Sequence, residues 1–165
     1  MSINLVIRLS KILLLFFVGT FGLLVFLGNI LDYNSNFVFV KHVLSMDTVF
    51  PDNKMLYRAI TNPTLHSIGY AFIIALEGLF TLFCYLGVFK LLMNLTKSSV
   101  DFHKAKFFPT IGLMFGLIVW LLGFQVIGGE WFSMWQSKIW NGLGSADRMT
   151  TFIFFTLIYL NINND

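Results

Sequence analysis

The sequence is poor in cysteine and in charged residues, and each shortage excludes a class of protein. The single cysteine, Cys84, has no partner in the chain, which excludes a disulfide framework and a cysteine-based metal site. Charged residues make up 12% of the 165 residues, whereas hydrophobic residues make up 57% and the mean hydropathy is +0.79. Because a soluble core cannot bury so much apolar surface, the composition predicts an integral membrane protein.

Motifs for catalysis and for metal binding are also missing. The chain has no glycine-rich phosphate loop, no His-Glu-x-x-His and no nucleophile elbow, so we expect no cofactor, and a non-enzymatic role is favoured over an enzymatic one. His42, Asp47, His66 and Glu130 would have to converge to hold a metal ion, and nothing in their spacing requires this. The net charge of +3 is interpreted as a topology signal and not as a sign of nucleic-acid binding.

Four apolar segments predict an all-α, four-helix transmembrane bundle that uses residues 1–165 as one membrane domain. The spans are expected at about residues 9–31, 63–95, 108–128 and 146–161. Asn62 is a good N-cap before Pro63 at the first helical position of the second span. We expect Gly128 and Gly129 to end the third span and Ser145 to cap the fourth.

The distribution of basic residues predicts that both chain ends are cytoplasmic. The N-terminal segment and the second connection carry six lysine and arginine residues, and the opposite side carries five. This orientation places the first and third connections in the periplasm.

These two outer connections contain more sequence detail than membrane anchors require. Residues 37–46 suit a short helix or an extended segment lying on the membrane or on other helices. The third connection holds three of the four tryptophans, which form either an aromatic belt at head-group depth or part of a structured periplasmic cap with a binding surface. The candidate cap residues are His42, Asp47, Arg58, Glu130, Trp131, Trp135, Gln136, Trp140, Asn141 and Arg148.

Glu77 is an acidic residue inside the apolar second span, near the expected centre of the bilayer. An ionised carboxylate there costs at least about 2.5 kcal/mol, so Glu77 should face the other helices and be protonated or paired. His66 and Tyr70 lie on the same helical face and complete a candidate intramembrane polar site. Three interpretations are open for Glu77: a neutral group that fixes helix packing, a protonation site in an ion or proton path, or a partner for a residue of another subunit.

Gly112 and Gly116 form a Gly-x-x-x-Gly pair in the third span. Their spacing puts both glycines on one helical face and permits the close approach of another helix. The pair favours packing within the chain slightly more than dimerisation.

The longest motifs carry a resemblance to a known family. "NFVFVKHVLSMDT", "YRAITNP", Glu77, "GGEWFSMWQSKIWNG" and the arginine at the start of the last span resemble the uncharacterised bacterial family of small integral membrane proteins called domain of unknown function 2165. The resemblance extends from Asn29 to Arg148 and implies a four-span protein of the bacterial inner membrane. It implies no activity.

Two functions of different classes follow from the sequence. The favoured one is an accessory, assembly or interaction subunit that lies in the lipid bilayer and contacts a larger membrane-protein complex through its periplasmic surface. The alternative is a small ion-conducting, proton-conducting or ligand-binding bundle, a homo-oligomer if it conducts, that uses Glu77.

Overall fold

The computed structural model describes residues 2–163, and within them the predicted all-helical fold is confirmed, with no strand. The helices are α1 (Ile3–Leu31), α2 (Tyr33–Ser45), α3 (Pro63–Met93), α4 (Ser99–Lys104), α5 (Phe107–Leu117) and α6 (Leu143–Asn161). The last residue of α5 is followed directly by a π-helix, Ile118–Trp131. Short 3₁₀ turns lie at Leu56–Arg58 and Met134–Gln136.

Three helical segments among the described residues are long and apolar enough to cross a membrane. They are Ile3–Leu31, Pro63–Met93 and Ser99–Trp131, which correspond to the first three predicted spans. The predicted fourth span, α6, is not among them. Its 19 residues include Asp147 and Arg148 in the first two turns, which lower its hydropathy.

The predicted start of the second span is correct, and two other predicted boundaries are wrong. The Asn62 side chain accepts a hydrogen bond from the Thr64 backbone N–H (2.8 Å), and α3 begins at Pro63. The third span does not end at Gly128 and Gly129, because the π-helix includes both glycines and extends to Trp131.

Ser145 is likewise not the N-cap of α6. The helix begins two residues earlier, at Leu143, whose backbone N–H donates to Asn141 Oδ1 (3.1 Å). Ser145 instead accepts a hydrogen bond from Arg148 within the first two turns (3.2 Å). The asparagine side chain therefore satisfies a backbone donor at the helix start that the sequence had assigned to the serine.

Helix α3 packs between α1 and α5, and α6 packs against α1, α5 and the π-helix. The two glycines of the predicted pair serve these contacts. A Cβ on Gly112 would lie 2.9 Å from the Cys84 backbone nitrogen, and one on Gly116 would lie 2.8 Å from Ile153 Cδ1. Both glycines are therefore used for close packing within the chain.

The two ends of the molecule are made from different parts of the chain. At the first, the terminal end, Ser10 shares a hydrogen bond with Tyr159 (2.7 Å) and Lys11 Nζ donates to the Ile162 carbonyl (2.6 Å). The opposite end, the loop end, consists of α2 and the connections 46–62 and 132–142. Both described chain ends therefore lie at the terminal end.

Candidate functional site

Glu77 is buried and takes part in a hydrogen-bonded contact between α1 and α3. The carboxyl group, in a side chain that is 2% exposed, accepts a hydrogen bond at Oε2 from Asn29 Nδ2 (2.6 Å). Asn29 is itself 6% exposed and lies in the last turn of α1. The contact therefore joins two polar side chains that the surrounding apolar helices keep away from bulk water.

Asn29 is the centre of a larger polar cluster. The helix breaks at Asp32, where φ is −120° and ψ is 58°, and the first turn of α2 brings Asn36 Nδ2 to within 2.7 Å of Asn29 Oδ1. The Tyr70 hydroxyl donates to the same Oδ1 atom (3.2 Å). We call Asn29, Asn36, Tyr70 and Glu77 the Asn29 cluster. It links α1, α2 and α3, and the break at Asp32 is what closes it.

His66 does not belong to the Asn29 cluster. Its Nε2 atom lies 2.6 Å from the Ile60 carbonyl and 3.5 Å from Ser45 Oγ, so the ring holds the first connection against the start of α3. The structure therefore brings together Tyr70 and Glu77 but separates His66 from them. The reason is that a shared helical face does not fix contacts across a distance of three turns.

Glu77 lies near the middle of α3 (Pro63–Met93). Because Gly19 contacts Cys84 and Gly22 contacts Phe80, antiparallel packing places Glu77 level with the last turns of α1. Counted along α1, that level is about 22 Å from Lys11. At the end of α6, Ile162 lies beside Lys11. Arg148 comes before Ile162, at a distance of about 21 Å along the helix axis. The backbones of Glu77 and Arg148 therefore lie at similar heights.

A cavity of about 630 Å³ lies between these two charged residues. Glu77 and the rest of the Asn29 cluster line one side, and Arg148 lines another. Five aromatic side chains contribute to the remaining wall, together with aliphatic and small residues: Phe21, Phe39, Trp120, Phe124 and Phe152. The volume falls within the range of small-molecule sites, which combine apolar walls with a few polar groups.

The cavity opens between α1 and α6. Phe21 and Phe152, one on each helix, line it and remain 43% and 55% exposed. Gly28 lies on the same side, and a Cβ built on it meets no atom of the described chain within 4 Å. Helices α1 and α6 are joined at the terminal end by Ser10 and Tyr159, so the opening lies toward the loop end.

The two connections of the loop end contact each other through side-chain hydrogen bonds. Gln136 Oε1 accepts from the Phe50 backbone N–H (3.1 Å) and from Asn53 Nδ2 (2.9 Å). Thr48 and Ser137 share a hydrogen bond of 2.8 Å. The 46–62 and 132–142 segments therefore form one packed unit.

Trp131, Trp135 and Trp140 each contact a residue between positions 42 and 58 of the first connection. The ring of Trp140 stacks on His42 with centroids 4.6 Å apart, and His42 Nδ1 lies 2.7 Å from Asp47 Oδ2. The Arg58 guanidinium covers the Trp131 ring at 4.3 Å. Trp131 and Trp135 are 52% and 50% exposed, so these rings also suit an aromatic belt.

The remaining candidate cap residues have different surroundings. Glu130 is exposed, and Asn141 accepts a hydrogen bond from the Leu143 N–H at the start of α6. Arg148 lines the cavity and not the packed unit of the connections. In residues 2–163 no group of three or more His, Cys, Asp or Glu side chains is placed to hold a metal ion.

The sequence interpretation missed Asn29 and Asn36. A usable signal was present for Asn29, because an amide near the end of an apolar span needs a buried partner for the same reason as Glu77. Asn36 gave no such signal, since it reaches the cluster only through the break at Asp32.

Comparison with known proteins agrees with the membrane assignment. Residues 7–163 match the model of a family described as "Predicted small integral membrane protein (DUF2165)", which confirms the resemblance seen in the motifs. No curated protein and no solved structure matches the chain.

Proposed function

The chain belongs to the DUF2165 family of small integral membrane proteins, and from this premise we propose that it binds an amphipathic molecule of the bilayer in the cavity between α1 and α6. The observation that carries the proposal is that the buried Glu77 lines a cavity whose other walls are mainly apolar, with five aromatic side chains among them. An isolated packing carboxyl needs no such space beside it. A carboxyl group that binds a ligand does need space beside it, because the ligand takes the place of the water or lipid there.

The proposal includes a fourth span, formed by α6, and hence a four-helix bundle. Its N-cap, Gly142, lies beside Phe39 at the loop end, and its C-cap, Ile162, lies beside Lys11 at the terminal end. Its 19 residues correspond to about 28 Å, close to the thickness of the hydrocarbon core. Arg148 in this helix lines the cavity, and Asp147 beside it lies in the first two turns, near the loop end, which is compatible with a membrane position of the rest of the helix.

The proposed orientation is that of the bacterial inner membrane, with both chain ends in the cytoplasm and the loop end forming a periplasmic cap. Arg8, Lys11 and Lys106 lie at the terminal end, as expected of a cytoplasmic side. The packed connections of the loop end then close the bundle above the cavity.

Filling the cavity mouth should remove the bound molecule without unfolding the protein. Gly28→Leu places a side chain in open space and improves helix propensity by about 1 kcal/mol. Gly144→Leu is the matched control, since a Cβ on Gly144 also meets no atom within 4 Å and Gly144 does not line the cavity. We expect native mass spectrometry of protein purified in mild detergent to show bound small molecules on the wild type and on Gly144→Leu. They should be absent from Gly28→Leu.

Equal adducts on Gly28→Leu and the wild type would reject the cavity as their site. So would the absence of adducts from all three proteins. Circular dichroism of each variant checks that the helices are intact.

A second candidate function is that of an accessory or interaction subunit, and a specific surface favours it. Tyr57, Trp131 and Ile139 at the loop end are 77%, 52% and 74% exposed. Exposed apolar side chains on a packed unit suit contact with a larger membrane-protein complex. The same mass spectra distinguish this candidate, because a protein partner adds a defined large mass that Gly28→Leu leaves in place.

A further inference from the structure

We propose that the molecule bound in the cavity is a phospholipid whose head group joins a primary ammonium to a phosphate, with the ammonium at Glu77 and the phosphate at Arg148. The inference rests on the proposed function and names its ligand class. Its basis is that an acidic and a basic side chain line the same cavity. Glu77 bonds to Asn29, and Arg148 bonds to Ser145, so neither neutralises the other.

The Asn29 cluster offers acceptors that fit an ammonium group. Asn29 occupies only Oε2 of Glu77, and Oε1 makes no hydrogen bond to any residue among 2–163. Asn36 uses its amide nitrogen to reach Asn29, which leaves its Oδ1 atom as a second acceptor at the cavity. A primary ammonium has three donors and no acceptor. Aromatic walls, here including Trp120 and Phe124, further favour a cation.

Arg148 supplies the complementary group for a phosphate. The side chain is exposed at the cavity, and only its Nη2 atom is engaged, with the Ser145 hydroxyl at 3.2 Å. A guanidinium binds phosphate through two parallel hydrogen bonds. The head group therefore spans the cavity from α3 to α6, with a charge at each end matched by the protein.

The position of the opening lets the acyl chains lie outside the cavity. The cavity is too small for two acyl chains as well as a head group, and its mouth lies between Phe21 and Phe152. The chains leave there and run over apolar surface on both helices, where Leu24 and Phe155 are each 65% exposed. The bilayer can therefore deliver the lipid from the side.

The test uses the full chain in nanodiscs that contain equal amounts of phosphatidylethanolamine, phosphatidylglycerol and phosphatidylcholine. Lipids retained after release from the nanodisc are identified by native mass spectrometry. We expect the wild type to retain phosphatidylethanolamine about tenfold over the other two, since they lack the ammonium or its donors. Glu77→Gln keeps an acceptor for Asn29 but removes the charge, so the preference should disappear. Arg148→Gln should lower retention of all three lipids.

Asn36→Ala provides a second test that leaves Glu77 in place, because Asn36 is exposed in the first turn of α2. We expect it to weaken the preference for phosphatidylethanolamine. Equal retention of the three lipids by the wild type, or an unchanged preference in Glu77→Gln and Asn36→Ala, would overturn the head-group assignment. If these outcomes occur but Gly28→Leu still loses the retained lipid, the proposed function stands and only the head-group assignment fails. If the wild type retains no lipid, both fail.

Discussion

Asn29→Leu should lower the free energy of unfolding by about 3 kcal/mol, because it leaves buried polar groups without their partner. The substitution removes the donor to Glu77 Oε2 and the acceptor for both Tyr70 and Asn36. Glu77→Leu removes only one of these three bonds and should cost less. In the double variant the carboxyl group that needs a partner is absent. The loss of stability of the double variant should therefore be smaller than the sum of the losses of the two single variants by about 1 kcal/mol or more.

Denaturant unfolding in detergent micelles, followed by circular dichroism, measures these differences. Gln125→Leu is the control, because Gln125 makes one hydrogen bond, to Thr150 (2.8 Å), in a half-buried position. It should cost about 1 kcal/mol. If Asn29→Leu is no more destabilising than Gln125→Leu, the Asn29 cluster does not hold α1, α2 and α3 together.

Arg8→Met should destabilise the terminal end by a similar amount, about 3 kcal/mol, since hydrogen bonds from a charged donor are the strong ones. Arg8 is 7% exposed, and its Nη1 atom donates to the carbonyls of Leu95 (2.9 Å) and Lys97 (2.7 Å). These carbonyls follow the C-terminal end of α3, where a cation also interacts favourably with the helix dipole. The guanidinium covers the Phe102 ring at 4.7 Å as well.

The loss should be local and visible by proteolysis. With its carbonyl released, the exposed Lys97 becomes a preferred trypsin site in Arg8→Met, in addition to the lower stability. Arg8→Lys should recover only part of the protection, because one ammonium cannot replace a planar fork that also stacks. Lys138→Met, at the exposed loop end, is the control. Unchanged cleavage after Lys97 in Arg8→Met would show that the 94–98 connection does not depend on Arg8.

The features predicted from the sequence are those that local patterns encode. Apolar segment length gave α1, α3 and the third span, and the Asn62-Pro63 pair gave the start of α3. Helical periodicity placed Glu77 and Tyr70 on the buried face of α3, where both are 1–2% exposed. Each of these results depends on neighbouring residues in one helix, so no knowledge of the other helices was needed.

The features that were missed depend on contacts between distant segments. The π-helix has the same apolar composition as an α-helical span, so residues 118–131 give no sequence signal for its different backbone hydrogen bonding. The end of the first span at about residue 31 was predicted, but the start of α2 directly after it, at Tyr33, which brings Asn36 to Asn29, was not. Arg148 looked like part of the loop surface because only the packing of α6 beside α1 turns it to the cavity.

Labelling with dicyclohexylcarbodiimide tests most directly whether Glu77 faces a cavity that opens to the bilayer. This apolar reagent enters from the membrane and adds to accessible carboxyl groups as an N-acylurea. Peptide mapping by mass spectrometry should find Glu77 modified in the wild type and in Gly144→Leu. Modification should be strongly slowed in Gly28→Leu, whose side chain fills the mouth. An unmodified Glu77 in the wild type, or equal modification in Gly28→Leu, would contradict the account.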